Sequence, residues 1–361
     1  MTLPKPIACA PQIGDYHIIA DILIRRCLGY DVITCPPTTK ATLELGSRHS
    51  PDMICTPFKT TLGNFIEAAA QGANLFIMPG FGCRLGFYDI LQQQILDDLG
   101  IECQMMPLFD YIPTTKRMFS ALQAMNPQLT QEVFDPVFAL LAQIVTDMDR
   151  LANYIRRHVA FEIPGVSKGR FDQVYQQYLT QVHQAPSVEA AAALGIQCQQ
   201  DLESIPINKP EKPIRIGLIG EIYVLAEPSA NCNMEKWLAD HQVEIIRDFD
   251  LTQMAKAMFT VQEQIQESGG YVDYNIGSTA NDAIAQAYKM IQEGIDGIIH
   301  VKPASCSPEI TAMSILQNMS RDHDTPFMYM TFDTETGEAG VHTRLEAFLD
   351  MIIMKRRADH A

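Results

Sequence analysis

The sequence predicts an α/β protein built as two doubly wound parallel-sheet domains flanking a helical middle segment. Three observations carry this. Short apolar runs alternate with helix-length amphipathic stretches over roughly the first 115 residues. From there to about residue 205 the strand signal vanishes, and after "INKPEKPIRIG" the alternation resumes. Parallel neighbours cannot be joined by a tight hairpin and need a crossover, usually a helix, so this rhythm reads as parallel sheet covered on both faces. The expected divisions are an N-terminal α/β domain over 1–115, a helical segment and linker over 116–210, and a C-terminal α/β domain over 211–361.

Taken in order, "KPIACAP" reads as a strand and "DYHIIADILIRRCLGY" as a helix. "DVITCPP" is strand-like, "TKATLELGSRH" helical, and "PDMICTP" strand-like again. "TLGNFIEAAAQGA" is helical, "NLFIMPG" a buried strand, "YDILQQQILDDLG" a helix and "IECQMMPLF" a strand. The middle holds a long amphipathic helix, "DPVFALLAQIVTDMDRLANYIRRHVAF", and a second in "RFDQVYQQYLTQVHQA". In the last third, "IRIGLIGEIY", "VEIIRDFDL", "IDGIIHVKP" and "PFMYMTFD" are strands. Between and after them, "NMEKWLADHQ", "TANDAIAQAYKMIQEG", "PEITAMSILQNMS" and "HTRLEAFLDMIIMKRR" are helices. The two outer domains look like distant versions of one architecture.

The chain has 361 residues and a formal net charge of −16, which argues against nucleic acid and anionic membranes as partners, since both need basic surface. No apolar run approaches a membrane span, and "MTLPKPIACAPQIGDYHII" lacks the charged-then-apolar pattern of a secretory leader. The expected compartment is the cytoplasm, where thiols stay reduced.

Nine cysteines therefore need an explanation other than disulfides. Ligands of an open parallel sheet bind at the carboxyl ends of its strands. Cys55 is expected there, closing "DMIC", with Cys83 in the glycine-rich "MPGFGCRLGFY" and Cys306 in "HVKPASCSPEI". Cys9 and Cys35 end the first two strands, and Cys232 lies in the loop after "IGLIGEIYVL". Cys27, Cys103 and Cys198 fall elsewhere and read as packing residues. With no C-x-x-C in the chain, a zinc ribbon or thioredoxin-type pair is disfavoured. Metal or cluster binding, buried structural cysteine, and a nucleophile awaiting a base such as His300 or His342 all stay open at this point.

The stretches "YDVITCPPTTKATLELGSRHSPDMICTPFKTTLGNFIEAAAQGANLFIMPGFGCRLGFYDILQQQILDDLG" and "HVKPASCSPEITAMSILQNMSRDHDTPFMYMTFDTETGEAGVHTRLEAFLDMI" resemble the CoA protein activase, or acyl-CoA dehydratase activase-related, family. That family is similar to 2-hydroxyacyl-CoA dehydratase subunits and to double-cubane cluster proteins. The resemblance implies Rossmann-like domains with an iron–sulfur cluster lodged between them, either 4Fe–4S or a double-cubane 8Fe–9S cluster. By motif, Cys55, Cys83 and Cys306 match the family's cysteines. Relatives carry "PPC" where this chain has "CPPTT" around Cys35, and often a further cysteine just before Cys83, where this chain reads "GFGC". Cys9 and Cys232 have no counterpart to carry over. The resemblance also implies an ATP-dependent activase or reductase as electron donor, and assembly as a homodimer or with a related subunit. The only glycine-pair motif, "GLIGE", is not a phosphate loop and reads as a tight strand-to-helix turn, so this chain is the electron-receiving partner rather than the ATPase.

Around such a cluster, Lys59 and Arg84 are candidate cofactor-binding cations, or else solvated surface charges. No catalytic residue is singled out. The helix dipole accounts for Glu309 behind Cys306. A loop ion pair with Arg344 accounts for Asp333, Glu335 and Glu338, and Trp237 reads as helix-face packing. The expected function is an oxygen-sensitive iron–sulfur protein that accepts low-potential electrons and passes them to a small substrate or partner at an open iron site. If catalytic, it would be a reductase or dehydratase-like enzyme. The alternatives are a non-catalytic cluster-carrying or assembly subunit, and a metal-free binding module.

Overall fold

The computed structural model describes residues 6–78, 80, 87–108, 114–277 and 279–359. It divides into two compact units, one of Met1–Met148 with Tyr175–Gln199 and the other of Asp149–Val174 with Gln200–Ala361.

The first unit opens with β1 (Ile7–Cys9) and α1 (His17–Leu23), which runs on into a π-helical turn over Ile24–Leu28. Then come β2 (Asp31–Val32), α2 (Lys40–His49), α3 (Thr56–Ala70), β3 (Leu75–Met78), α4 (Tyr88–Asp98), β4 (Gln104–Pro107) and α5 (Thr115–Met125). Its strands form one all-parallel sheet in the order β2-β1-β3-β4. The helices α6 (Gln131–His158), α7 (Arg170–Gln184), α8 (Val188–Ala192) and α9 (Leu194–Glu203) follow. As expected from the lost strand signal, this middle stretch contributes no strand among its described residues, and its helices are shared out between the two units.

The second unit contains β5 (Ile214–Gly220), α10 (Ile222–Ala226), α11 (Met234–Asp240), β6 (Val243–Ile246), α12 (Leu251–Ala257), α13 (Val261–Glu267) and α14 (Ala280–Gln292). It ends with β7 (Gly297–Pro303), α15 (Ser307–Asp322), β8 (Phe327–Phe332) and α16 (Glu338–Asp359). Its sheet is also all-parallel, in the equivalent order β6-β5-β7-β8. The two sheets therefore share one strand order, as the similar sequence halves suggested.

Local chemistry explains the elements. β7, "GIIHVKP", is buried at every residue, the pattern of a central parallel strand covered on both faces. α2 starts with a capping box in which the Thr39 and Thr42 side chains satisfy each other's backbone N–H groups. Phe58, Leu62 and Phe65 of α3 fill the first core against Phe76, Met78 and Leu96. The second core joins Ile219 and Ile298 of the sheet to Ile284 of α14 and Ala312, Leu316 and Met319 of α15.

One expected strand is absent. "PDMIC" forms a turn, and α3 begins directly after Cys55. The reason lies in how α2 and α3 pack. A Cβ placed on Gly46 would lie 1.7 Å from the Lys59 carbonyl oxygen, and one on Gly63 would lie 2.0 Å from that of Thr42. The two backbones touch, and the six residues joining these helices turn directly from one to the other.

Gly63→Ala is expected to force α2 and α3 apart and destabilise the first unit by about 3 kcal/mol, as a shift of the denaturant midpoint. Gly340→Ala, on the exposed face of α16 with open space around it, is expected to change stability the other way, by up to about 1 kcal/mol.

Candidate functional site

With the strand order 2-1-3-4, crossovers leave the first strand in one direction and the third in the other. That creates a topological switch point between β1 and β3, and a second between β5 and β7, at the carboxyl ends of the strands. α3 runs back against the strands into β3, so its first residue sits at this same edge.

In the first unit, Cys55 is the N-cap residue of α3, half-buried, with its sulfur 2.7 Å from the Tyr88 hydroxyl at the start of α4. The Tyr88 ring stands edge-on to Phe58, with centroids 4.8 Å apart, so packing holds that hydroxyl in place. Cys9 and Cys35 do reach the carboxyl edge, as expected, but both are buried in the core with Phe58 and Leu62. The Cys9 thiol is pushed far up by its hydrogen bond with Cys35, then by burial and by the neighbouring Cys35 and Asp21 charges. Cys83 and Arg84 lie outside the described residues. Lys59 donates to the Asp52 carbonyl oxygen at 3.2 Å, closing the turn before α3.

In the second unit, Cys306 is the half-buried N-cap residue of α15, directly after β7. Cys232 is half-buried with left-handed backbone (φ 56°), after a short 3-10 turn. Its thiol is raised by burial and by the Glu338 charge. Among the described residues no three His, Cys, Asp or Glu side chains gather as a ready metal site.

What sequence reasoning missed is a group of buried polar side chains beside Cys306. His300 and Glu309 are both fully buried, with Nε2 of His300 2.7 Å from one oxygen of the Glu309 carboxylate. The other oxygen accepts from the Thr279 hydroxyl at 2.5 Å. Glu309 does sit in the first turn of α15, where the dipole favours it, yet its carboxylate faces the sheet rather than water. Lys302, two residues along the same face of β7 from His300, is also buried. Burial pulls its ammonium down from the usual lysine range, while the charges of Cys306 and Glu309 oppose that. Across the switch point, Glu221 follows β5 and accepts from the backbone N–H groups of Tyr223 and Val224. Burial pushes its carboxyl up to about 7, with those two hydrogen bonds opposing and the Glu309 charge adding. The preceding Gly220 cannot carry a side chain, because a Cβ there would lie 2.0 Å from the Val301 carbonyl oxygen. The "GLIGE" turn is thus a close approach of β5 to β7.

A sequence signal for the two edge thiols existed. "CTP" at Cys55 and "CSP" at Cys306 each place cysteine as the N-cap and proline at the second helical position, and neither sulfur caps its helix. The expected ion pair of Arg344 with Asp333, Glu335 or Glu338 does not form among the described residues. Arg344 donates instead to the Tyr329 carbonyl oxygen at 2.6 Å, and Asp333 closes its own turn by accepting from Thr336. Trp237 stacks on His241 at 3.7 Å between centroids, a helix-face contact as expected.

Residues 230–352 match the family model described as 2-hydroxyglutaryl-CoA dehydratase, D-component. The chain is related to the 2-hydroxyacyl-CoA dehydratase subunits. The matched segment is about a third of the chain and holds Cys232, His300, Cys306 and Glu309. No curated protein matches the chain. No helix among the described residues is long and apolar enough to cross a membrane.

Asp282, in the first turn of α14, tests the electrostatics of this region. Its carboxyl is pushed up to about 7, chiefly by burial; hydrogen bonds from Gln253 and Gln286 oppose this, and the Glu309 and Glu267 charges add to it. An acid raised on folding stabilises the fold fully below its unfolded pKa, and that contribution is lost as pH rises through the folded value. Asp282→Asn has no such loss. Its stability relative to the wild type is therefore expected to grow between about pH 4 and pH 7, by roughly 3 kcal/mol read from denaturant unfolding. A pH-independent difference would show that Asp282 ionises normally.

Proposed function

We propose that this chain is an iron–sulfur component of a dehydratase-type system, accepting low-potential electrons from an ATP-dependent reductase and passing them to a small substrate or partner. The observation that carries this reading is the half-buried Cys306 thiol at the first turn of α15, beside the β5–β7 switch point and inside the segment related to the dehydratase D-component. Cys55 has the same local setting at the start of α3.

The donor set fits a cluster in part. Thiolates are favoured at helix N-termini, where unpaired N–H groups and the dipole stabilise negative charge. Cys55 has a hydroxyl beside its sulfur and Cys306 has the charge of Lys302 nearby, the kinds of group that tune cluster sulfurs. Cys55, Cys306 and Cys83 are the proposed ligands, with Cys232 as a further candidate. Cys9 and Cys35, buried in the core with Phe58 and Leu62, are the remaining candidates that the strand-edge pattern supplies. When bound, the cluster would supply one-electron transfer at low potential. The protein's own residues position the thiols, and Glu221, His300 and Glu309 surround the second switch point with groups able to hold protons. The name of the matched family points to a 2-hydroxyacyl-CoA thioester as the substrate class for such a system.

Anaerobic isolation followed by iron and acid-labile sulfide analysis tests the reading. Roughly four or roughly eight irons per chain are expected, for one cubane or a double cluster respectively. Cys55→Ala, Cys83→Ala and Cys306→Ala are each expected to lose iron, while Cys27→Ala, at a buried position in the π-helical turn, keeps it. A colourless, iron-free wild type would end the proposal. With iron present, turnover of a 2-hydroxyacyl-CoA in the presence of an ATP-driven reductase separates a catalyst from a carrier subunit.

A further inference from the structure

The His300–Glu309 pair has a cost that stability alone does not justify. Removing both partners from water is expensive, and well-packed apolar residues usually stabilise a core as well or better. The pair also does not act by itself. Thr279 occupies the N-cap position of α14, where a threonine hydroxyl commonly accepts from its own helix, yet it makes no such cap and donates to Glu309 instead. Cys306, the N-cap residue of α15, likewise leaves its own helix uncapped by its side chain. One carboxylate thus ties together the middle of β7, the start of α14 and the first turn of α15.

We propose that Glu309 is a positioning residue for Cys306: anchored by His300 and Thr279, it holds the first turn of α15 so that the sulfur is presented from a fixed place at the strand edge. The importance of that sulfur rests on the cluster reading, but the anchoring rests only on the hydrogen bonds. His300 and Glu309 have no exposure and so do not meet a ligand directly. Their influence passes through Ser307 and Pro308, the two residues between Glu309 and Cys306, and the Cys306 carbonyl oxygen already accepts from Ile310 as the first helical bond.

The test uses the full-length, metal-free chain and iodoacetamide, with the alkylation rate of each cysteine read by peptide mass spectrometry at one pH. Glu309→Ala is expected to raise the Cys306 rate about tenfold, as loss of charge-assisted hydrogen bonds shifts a local opening equilibrium. Cys232, in the same unit, should keep its wild-type rate. Glu309→Gln retains the shape and one acceptor, and is expected to stay within about twofold of the wild type. If Gln behaves like Ala, the effect is the lost charge beside Lys302, and the anchoring is overturned. A parallel rise at Cys232 overturns it too, because the whole unit has then loosened. An unchanged Cys306 rate in Glu309→Ala does the same.

Should Glu309→Ala not fold, Thr279→Val removes only the hydroxyl donor. A Cys306 rate raised about threefold with Cys232 unchanged supports the anchor, and no change overturns it. Iron content is scored separately. An iron-free wild type removes the cluster reading and leaves the anchoring to be decided by the alkylation rates.

Discussion

Two strands that run parallel can be joined only by a chain that leaves one edge of the sheet and returns to the opposite edge along a face. All the described strands obey this constraint, in two sheets of the same order. Everything of chemical interest follows from it. Each crossover puts a helix on a face and a loop at the carboxyl edge, and the reversal of direction between the first and third strands opens a crevice there. Cys55, Cys306 and Glu221 come from separated parts of the sequence, yet each lies at such an edge because no other place is available to a residue at a strand end or a helix start.

The two edges are furnished differently. In the first unit the inner thiols, Cys9 and Cys35, stay free within an aromatic core and donate to the Ala10 and Asn64 carbonyl oxygens, and the outer one, Cys55, meets a tyrosine hydroxyl. In the second unit the corresponding space holds charge. Glu221, His300, Lys302 and Glu309 are all buried around the end of β7. In a low-dielectric interior each unpaired charge there would be costly, and His300 and Thr279 meet the Glu309 carboxylate while the Tyr223 and Val224 N–H groups meet that of Glu221. Burial and mutual repulsion of the two glutamates leave Glu221 able to gain or lose a proton near neutrality. Groups poised in this way cluster at functional sites more often than at purely structural ones.

The relation to 2-hydroxyacyl-CoA dehydratase subunits falls on the second unit, the one carrying this polar group. The Cys306 thiol and the raised Glu221 carboxyl lie at the same sheet edge, which supports the proposed reading. A bare cysteine count would have grouped Cys9, Cys35 and Cys306 together. Burial and charge separate them.

The sequence by itself determined the architecture. Alternating periodicity marked all eight described strands by position, with one more at "PDMIC" that is absent, and the long helices nearly to their ends, because those patterns reflect local backbone geometry and one-sided burial. β2 came out the shortest, with two paired residues where "DVITCPP" suggested more. The turn at "PDMIC" was not legible, since it joins two helices whose backbones meet at Gly46 and Gly63, a contact between residues far apart in the pattern. The placement of Cys55 and Cys306 at the strand edge was legible from their neighbours. The protonated character of Cys9 was not, because it comes from a partner 26 residues away. Nor was the role of Glu309: a carboxylate in the first turn of a helix looks the same in sequence whether it faces water or a buried histidine. Only the tertiary structure decides that, by bringing β7, α14 and α15 to one point where the solvent that would have screened the charge is excluded.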